Sequence, residues 1–349
     1  AIAGLKRELL AAVLKGAQPD AVPTFEWFID AGVGEALTGS SDPIDIVDAL
    51  DIDGINIRAD YKSEQAGEDT FTDEWGATRK LTGDCIAAVL TSPITDIADH
   101  AKYRFPAPDA PHRFKTLERA LERFGDRRAV ILNLRDGFSD MRDLLSYEEA
   151  LMQLMLEPAV FSELLARVVD YNLELARVAA ERYGVNVIAT TDDVANAEGL
   201  LLPPDQYMEI IGPSFKKVMQ GYKDLGYAIV KHCDGEISPL IDFWIECGID
   251  CLDPIDPAAG YTMAGMKAKY GDRIALKGNV DCKGALCSGT PQDVRDEVET
   301  CIADGGAGGG LILSSSNTIH RGVKPENYRA MLEALREFGR YPVEASVLE

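Results

Sequence analysis

Along this chain, short runs rich in apolar and β-branched residues end in polar side chains and alternate with stretches whose apolar positions recur every three to four residues. The first pattern reads as a buried strand and the second as an amphipathic helix. Eight strand-type runs occur: VPTFEW (22–27), GINIRAD (54–60), AVILNLRDG (129–137), NVIATTDD (186–193), AIVKHCDG (228–235), IDCLDPID (249–256), RIALKGNVD (273–281) and GGLILSSSN (309–317). Helical stretches lie between them, such as 147–182, interrupted at Pro158, and 205–225, interrupted at Pro213. Alternating β and α elements favour a parallel sheet, and eight units favour closure into a (β/α)8 TIM barrel. Residues 1–349 read as one such domain with an N-terminal helical extension. Segment 61–128 is too long for a plain connection and is expected to hold inserted helices and loops at the barrel mouth. A doubly wound open sheet is the competing architecture. No GxGxxG follows the first strand, and GGAGGG (305–310) precedes a strand instead of opening a helix.

Composition narrows the picture. Of 349 residues, 46% are hydrophobic and 27% charged, which suits one large core. The apolar runs are strand-sized, so no membrane partner is expected. The first helix (AIAGLKRELLAAVLKG) spreads its lysines through its length, unlike a secretory leader, and a cytoplasmic protein is expected. Seven cysteines without a CxxC pair read as reduced, mostly buried thiols. A formal charge of −23 argues against nucleic acid or anionic lipid as a partner.

In a barrel of this kind chemistry collects at the carboxyl ends of the strands. Those ends carry Glu26, Arg58, Asp60, Arg135, Asp136, Asp192, Asp193, His232, Asp234, Asp253, Asp256, Asn279, Asp281 and Asn317, with His320 just beyond. One polar strand end is commonly a turn cap, whereas eight on one rim point to a site. His232 and Asp234 stand two residues apart on an extended chain and share a face, which suits a metal ligand pair or an acid/base pair. The plainer alternative is a histidine bonded to a capping aspartate. Asp192 and Asp193 fall on opposite faces, so one is expected to work and the other to cap, with Glu198 within reach on the next loop. His320 either enters the mouth or caps the final helix that Pro325 begins. Trp27, Trp75 and Trp244 read as core, although DEWG (73–76) sits where a lid is expected.

The stretches DDVANAEGLLLPPDQYMEIIGPSFKKV, KHCDGEISPLIDFWIECGIDCLDPIDPAAGYTMAGMKAKYGDRIALKGNVD and SSSNTIHRGVKPENYRAML resemble the C-terminal half of the uroporphyrinogen decarboxylase superfamily. The shared marks are a histidine strand end followed by DG, an xDxxDP strand, a KxKYGD turn, a GNxD strand and a PEN helix start. The resemblance covers about residues 187–335 and implies the barrel fold. The decarboxylases carry an RQAGRY-type arginine motif after the first strand. Here that stretch is FEWFIDAGVGEAL, and no arginine occurs between Arg7 and Arg58. A tetrapyrrole with many carboxylates needs fixed cations.

The other branch of the superfamily moves a methyl group between a small substrate and a corrinoid on a separate protein, and some members bind zinc through an HxC strand end and a later cysteine. His232 matches that histidine, Asp234 stands for the first cysteine and Asn317 for the second. This replacement points away from thiol-activating zinc and leaves open an oxygen-ligated metal at His232 and Asp234, or none. The resemblance therefore implies a methyltransferase that demethylates a small methylated substrate, a methoxylated aromatic by preference, and passes the methyl group to cob(I)alamin on a corrinoid protein. His232, Asp234, Asp193 and His320 are the catalytic candidates. Glu26, Arg58, Asp60, Arg135, Asp192, Glu198, Asn279, Asp281 and Asn317 are the substrate-binding ones. A second copy of the chain is a further candidate partner. The alternatives are a decarboxylase of a porphyrinogen or smaller acid, and a barrel that binds its ligand without turnover.

Overall fold

The computed structural model describes residues 6–82 and 87–343. Seven parallel strands follow one another around a curled sheet: β1 (Gly54–Arg58), β2 (Ala129–Arg135), β3 (Val187–Thr191), β4 (Ala228–His232), β5 (Cys251–Asp253), β6 (Ala275–Val280) and β7 (Leu311–Ser315). Each pairs only with its neighbours in sequence, as βα repeats require. Their runs of Val, Ile, Leu and Ala are buried because helices cover the outer face.

The eighth predicted run closes the ring by other means. Segment 22–27 makes a single parallel bridge, Thr24 to Leu313. The β7 side is held by Leu313 N–H donating to Pro23 O at 3.0 Å and Ser315 Oγ donating to the Glu26 carboxylate at 2.6 Å. On the β1 side, Asp53 N–H donates to Thr24 O at 3.0 Å and Asn56 Nδ2 donates to Trp27 O at 3.0 Å. The fold is therefore the expected barrel, with one staple-like strand that backbone and side-chain bonds together knit to both neighbours.

Helix Lys6–Leu14 buries Leu10, Val13 and Leu14 against strands of the barrel. The break expected at Pro158 separates helices Tyr147–Leu156 and Pro158–Tyr183. Near Pro213 the helix continues through a π turn at Tyr207–Ile211 into Gly212–Asp224.

The segment expected to hold helices and loops corrects the sequence reading. It opens with an antiparallel sheet of Ser63–Gln65, Thr70–Asp73, Thr78–Lys80 and Ala88–Thr91, and only then turns helical at Ile97–Lys102, Pro111–Phe114 and Lys115–Phe124. The alternating TFTD and TRK runs are too short to stand out as strands in sequence. No helix among the described residues is long and apolar enough to cross a membrane. Five cysteines are buried and Cys287 is half-buried, while Cys85 lies outside the described residues.

Candidate active site

Register builds the centre of the site. His232, the last residue of β4, lies opposite Asp253, the last residue of β5. One step around the barrel, β6 pairs Leu276 with Leu252 and so brings Lys277 beside the same aspartate. Asp253 accepts from His232 Nδ1 at 2.5 Å with one oxygen and from Lys277 Nζ at 2.7 Å with the other. All three are buried, Lys277 at 0% and Asp253 at 1% exposure, so the ion pair is desolvated and a carboxylate between two cations is the arrangement that tolerates it. Burial works against the charge on Asp253, but Lys277 and then His232 outweigh it and hold its carboxyl below the usual range. Burial likewise opposes a charged His232; Asp253 and Asp234 overcome it, and the imidazole pKa lies above its ordinary value.

With Nδ1 engaged, Nε2 is the nitrogen that meets Asp234, 3.6 Å from its Oδ1. Asn317 Nδ2 donates to the other Asp234 oxygen at 2.6 Å. Trp27 stacks on the His232 ring with centroids 4.1 Å apart. The chain can turn away after Asp234 because Gly235 has φ of 90°, and any Cβ there would run into the backbone of Asn196. A cavity of about 390 Å³ opens here, lined by Trp27, Asp193, His232, Asp234 and Asn317 together with Arg58, Arg79, Arg135 and Arg142. Two of these arginines are paired with carboxylates. Arg79 pairs with Asp73 at 2.6 Å and Asp143 at 2.8 Å, and Arg135 with Asp143 at 2.7 Å.

The remaining predicted residues are distributed unevenly. Asp193, His232, Asp234, Asn317, Arg58 and Arg135 line one cavity, as the strand-end argument expects. Asp192 instead accepts from the N–H groups of Phe138 and Ser139, both at 2.7 Å, and caps helix Phe138–Leu145. Burial, with the charge of Asp136 behind it, pushes its carboxyl up to about 7. Asp60 accepts from Thr116 N–H and Oγ1 and so ties the end of β1 to the start of helix Lys115–Phe124, while Asp281 accepts from Lys283 N–H and serves a local turn. Glu198 is exposed on a small hairpin. Glu26 is buried against Ser315 and stands behind the Trp27 wall; burial raises its carboxyl to about 7. Asn279 is not among the residues lining the cavity, nor is His320. His320 Nε2 lies 3.0 Å from Cys282 O and Nδ1 accepts from Gly322 N–H at 3.1 Å, so backbone occupies both ring nitrogens. Its geometry is that of a loop clamp.

The sequence matches the uroporphyrinogen decarboxylase (URO-D) family over residues 76–338. The chain belongs to that family. Among curated URO-D relatives, uroporphyrinogen decarboxylase of Psychromonas ingrahamii is 28% identical over 190 residues, 52% of this chain and 49% of that protein. The enzyme of Actinobacillus succinogenes is 33% identical over 120 residues, 32% of this chain and 33% of that one. The chain thus spans about half or less of the length of these relatives. A solved structure, a methyltransferase from Methanosarcina mazei, superposes with a TM-score of 0.76 at 17% identity, covering 96% of this chain and 99% of that one. This likeness establishes the shared barrel fold.

Within this URO-D family member, sequence reasoning underrated Asp253, Lys277 and Trp27. The xDxxDP run and the lysine of IALKGNVD were the available signals, but only register shows that they meet at His232. Asp253, and not Asp234, takes Nδ1. The donor set also bears on a metal. Asp193, His232 and Asp234 each offer a ligand atom within 4.8 Å of the others. Asp234 Oδ1 is a buried oxygen without a hydrogen-bond partner. A neutral Nε2 backed by a carboxylate on Nδ1, with two carboxylates beside it, fits a divalent ion that prefers nitrogen and oxygen. The cluster contains no thiolate, so it does not fit a zinc centre of the thiol-activating type.

Proposed function

We propose that this protein is a methyltransferase that demethylates a small methylated substrate, a methoxylated aromatic by preference, and delivers the methyl group to cob(I)alamin carried by a corrinoid protein. The observation that carries the reading is the state of His232: Nδ1 is fixed by a buried, Lys277-paired carboxylate and Nε2 is presented to the cavity between acidic neighbours. The corrinoid supplies the nucleophile that takes the methyl group. When the methyl–oxygen bond breaks, the bonding pair stays on oxygen, and an alkoxide or phenoxide must be met as it forms. A protonated His232 gives that oxygen the Nε2 proton, while Asp253 stabilises and orients the imidazolium beforehand. Should a divalent ion sit on Asp193, His232 and Asp234, it would occupy Nε2 and supply Lewis-acid assistance to that oxygen in place of the proton. The rim suits a broad, flat partner surface, because Phe28 and Tyr147 stand there 43% and 45% exposed.

A decarboxylase reading draws on the four arginines that line the cavity. Arg79 and Arg135 are already paired with Asp73 and Asp143, which reduces the fixed charge offered to a substrate with many carboxylates. The two readings separate in one experiment. Purified protein is offered methoxybenzoates with cob(I)alamin, and uroporphyrinogen in a parallel reaction. Cob(I)alamin methylation with release of the phenol is expected, and a His232→Ala variant should be slower by about a hundredfold or more. Stepwise loss of acetate carboxylates from uroporphyrinogen at an enzymatic rate, without methyl transfer, would overturn the proposal.

A further inference from the structure

Beside the His232 cavity lies a second chamber of about 230 Å³, roofed by the inserted antiparallel sheet and floored by β2 and helix Pro158–Tyr183. Arg58, Arg79, Arg135 and Asp143 belong to the walls of both, so the two spaces adjoin. Cavities of roughly 150 Å³ hold a benzene ring, so one aromatic ring fits here. The lining is aromatic on one side: Trp75 packs edge-on against Tyr171 with centroids 4.6 Å apart.

Its polar groups are the telling feature. Arg113, Asn133 and Tyr171 line this chamber and are 2%, 4% and 6% exposed. Arg113 uses Nε on Ala107 O and Nη1 on Glu74, but Nη2 has no hydrogen-bond partner. Asn133 Nδ2 and the Tyr171 hydroxyl are also without one. A buried donor left unsatisfied is destabilising, and three around one space call for a shared acceptor. The carboxylates of the same wall are already taken: Asp73 and Asp143 by arginines, and Asp140 by Arg135 and Asn172.

We propose that this chamber is a binding site for the oxyanion-bearing end of an aromatic ligand, an aryl carboxylate being the simplest, with Arg113, Asn133 and Tyr171 donating to the carboxylate. The inference deepens the methyltransferase reading by naming the substrate class, an aromatic acid whose methyl-bearing end reaches His232. Binding and turnover can be separated experimentally.

Calorimetric titration of the full chain with benzoate, the three methoxybenzoates and anisole tests it. Benzoate and at least one methoxybenzoate should bind ten times more tightly than anisole or better. Tyr171→Phe removes only the hydroxyl and should weaken benzoate binding several-fold while leaving the unfolding temperature and anisole affinity unchanged. Arg113→Met should weaken it further. His232→Ala should leave benzoate binding intact, whereas a parent protein that binds benzoate and the methoxybenzoates but methylates no cob(I)alamin would sink the reaction and spare the chamber. Benzoate binding that is absent at millimolar concentration, no better than anisole, or equal in the parent and Tyr171→Phe proteins would overturn the chamber assignment.

Discussion

The indole of Trp27 lies over the imidazole of His232, with centroids 4.1 Å apart and planes 20° from parallel. A stacked ring system favours the cationic over the neutral imidazole by about 1 kcal/mol when water is excluded. Trp27→Leu is therefore expected to lower the His232 pKa. The alkaline limb of the kcat/KM profile for methyl transfer should move down with it, so activity falls more at pH 8 than at pH 6. An unmoved limb would show that the indole shapes the pocket without tuning the ring.

Asp253 bonds Lys277 and His232 at once; loss of Asp253 deprives the buried Lys277 of its ion-pair partner, and loss of Lys277 leaves Asp253 with His232 alone. Asp253→Asn and Lys277→Met should each destabilise the fold by about 3 kcal/mol in urea denaturation, as loss of one partner of a buried pair does. The double variant should recover more than half of the combined loss. Activity should split differently. Asp253→Asn is expected to lose about a hundredfold, whereas Lys277→Met, which keeps the His232 contact, should lose less. Additive losses of stability would mean that the two side chains are not coupled.

Glu26 provides a pH test with a defined sign. Its carboxyl is raised from the ordinary 4.5 to about 7, chiefly by burial, with Lys277 pulling the other way. The native state therefore holds this proton more tightly than the unfolded chain. The stabilisation is complete below about 4.5 and is lost as the pH rises through about 7. Glu26→Gln abolishes the titration. Its stability relative to the parent should improve across that window and level off above it, by at most about 3 kcal/mol. Denaturation curves from pH 4.5 to 8.5 measure this, and a constant difference between the two proteins would refute the buried-carboxyl account.

The oxygen-rich cluster makes a prediction of its own. Mn(II) or Zn(II) titrated into the protein is expected to bind once per chain. Asp193→Ala, Asp234→Ala and His232→Ala should each weaken binding at least about tenfold, which is the scale for loss of a ligand or its support. Parent-like affinity in all three variants would locate the ion elsewhere.

The barrel was readable because eight apolar runs end in polar residues at regular intervals, a pattern that follows from strands buried on both faces. The cavity that gathers Asp193, His232, Asp234 and Asn317 was readable for the related reason that strand ends converge on one rim. The partners of His232 were not. Asp253 and Lys277 lie 21 and 45 residues away in sequence, and their meeting depends on register between strands, which local pattern does not encode. Asp60, Asp192 and Asp281 looked alike in sequence to Asp193, but each is turned toward a backbone N–H. His320 failed as a catalytic candidate on the same ground, since Gly322 and Cys282 claim its nitrogens. His232 itself is 4% exposed and wedged between Trp27 and Asp253, so the strand end lies deeper than a rim position. His232→Ala should therefore cost about 1–3 kcal/mol of stability as well as activity.

The strand at 22–27 also couples assembly to chemistry. An ordinary barrel joint is a ladder in which each amide bond is backed by several others, and loss of one side chain leaves the joint closed. Here Trp27 is fastened to β1 by the amide group of Asn56, which holds Trp27 O at 3.0 Å, between backbone bonds at Thr24 and Phe28. The residue that lids the imidazole thus hangs from a hinge pin on the neighbouring strand. Amides along this joint should exchange with solvent before those of β3 and β4. Any substitution that loosens Asn56 will reach the histidine through its ceiling, with no change to a residue that touches the substrate.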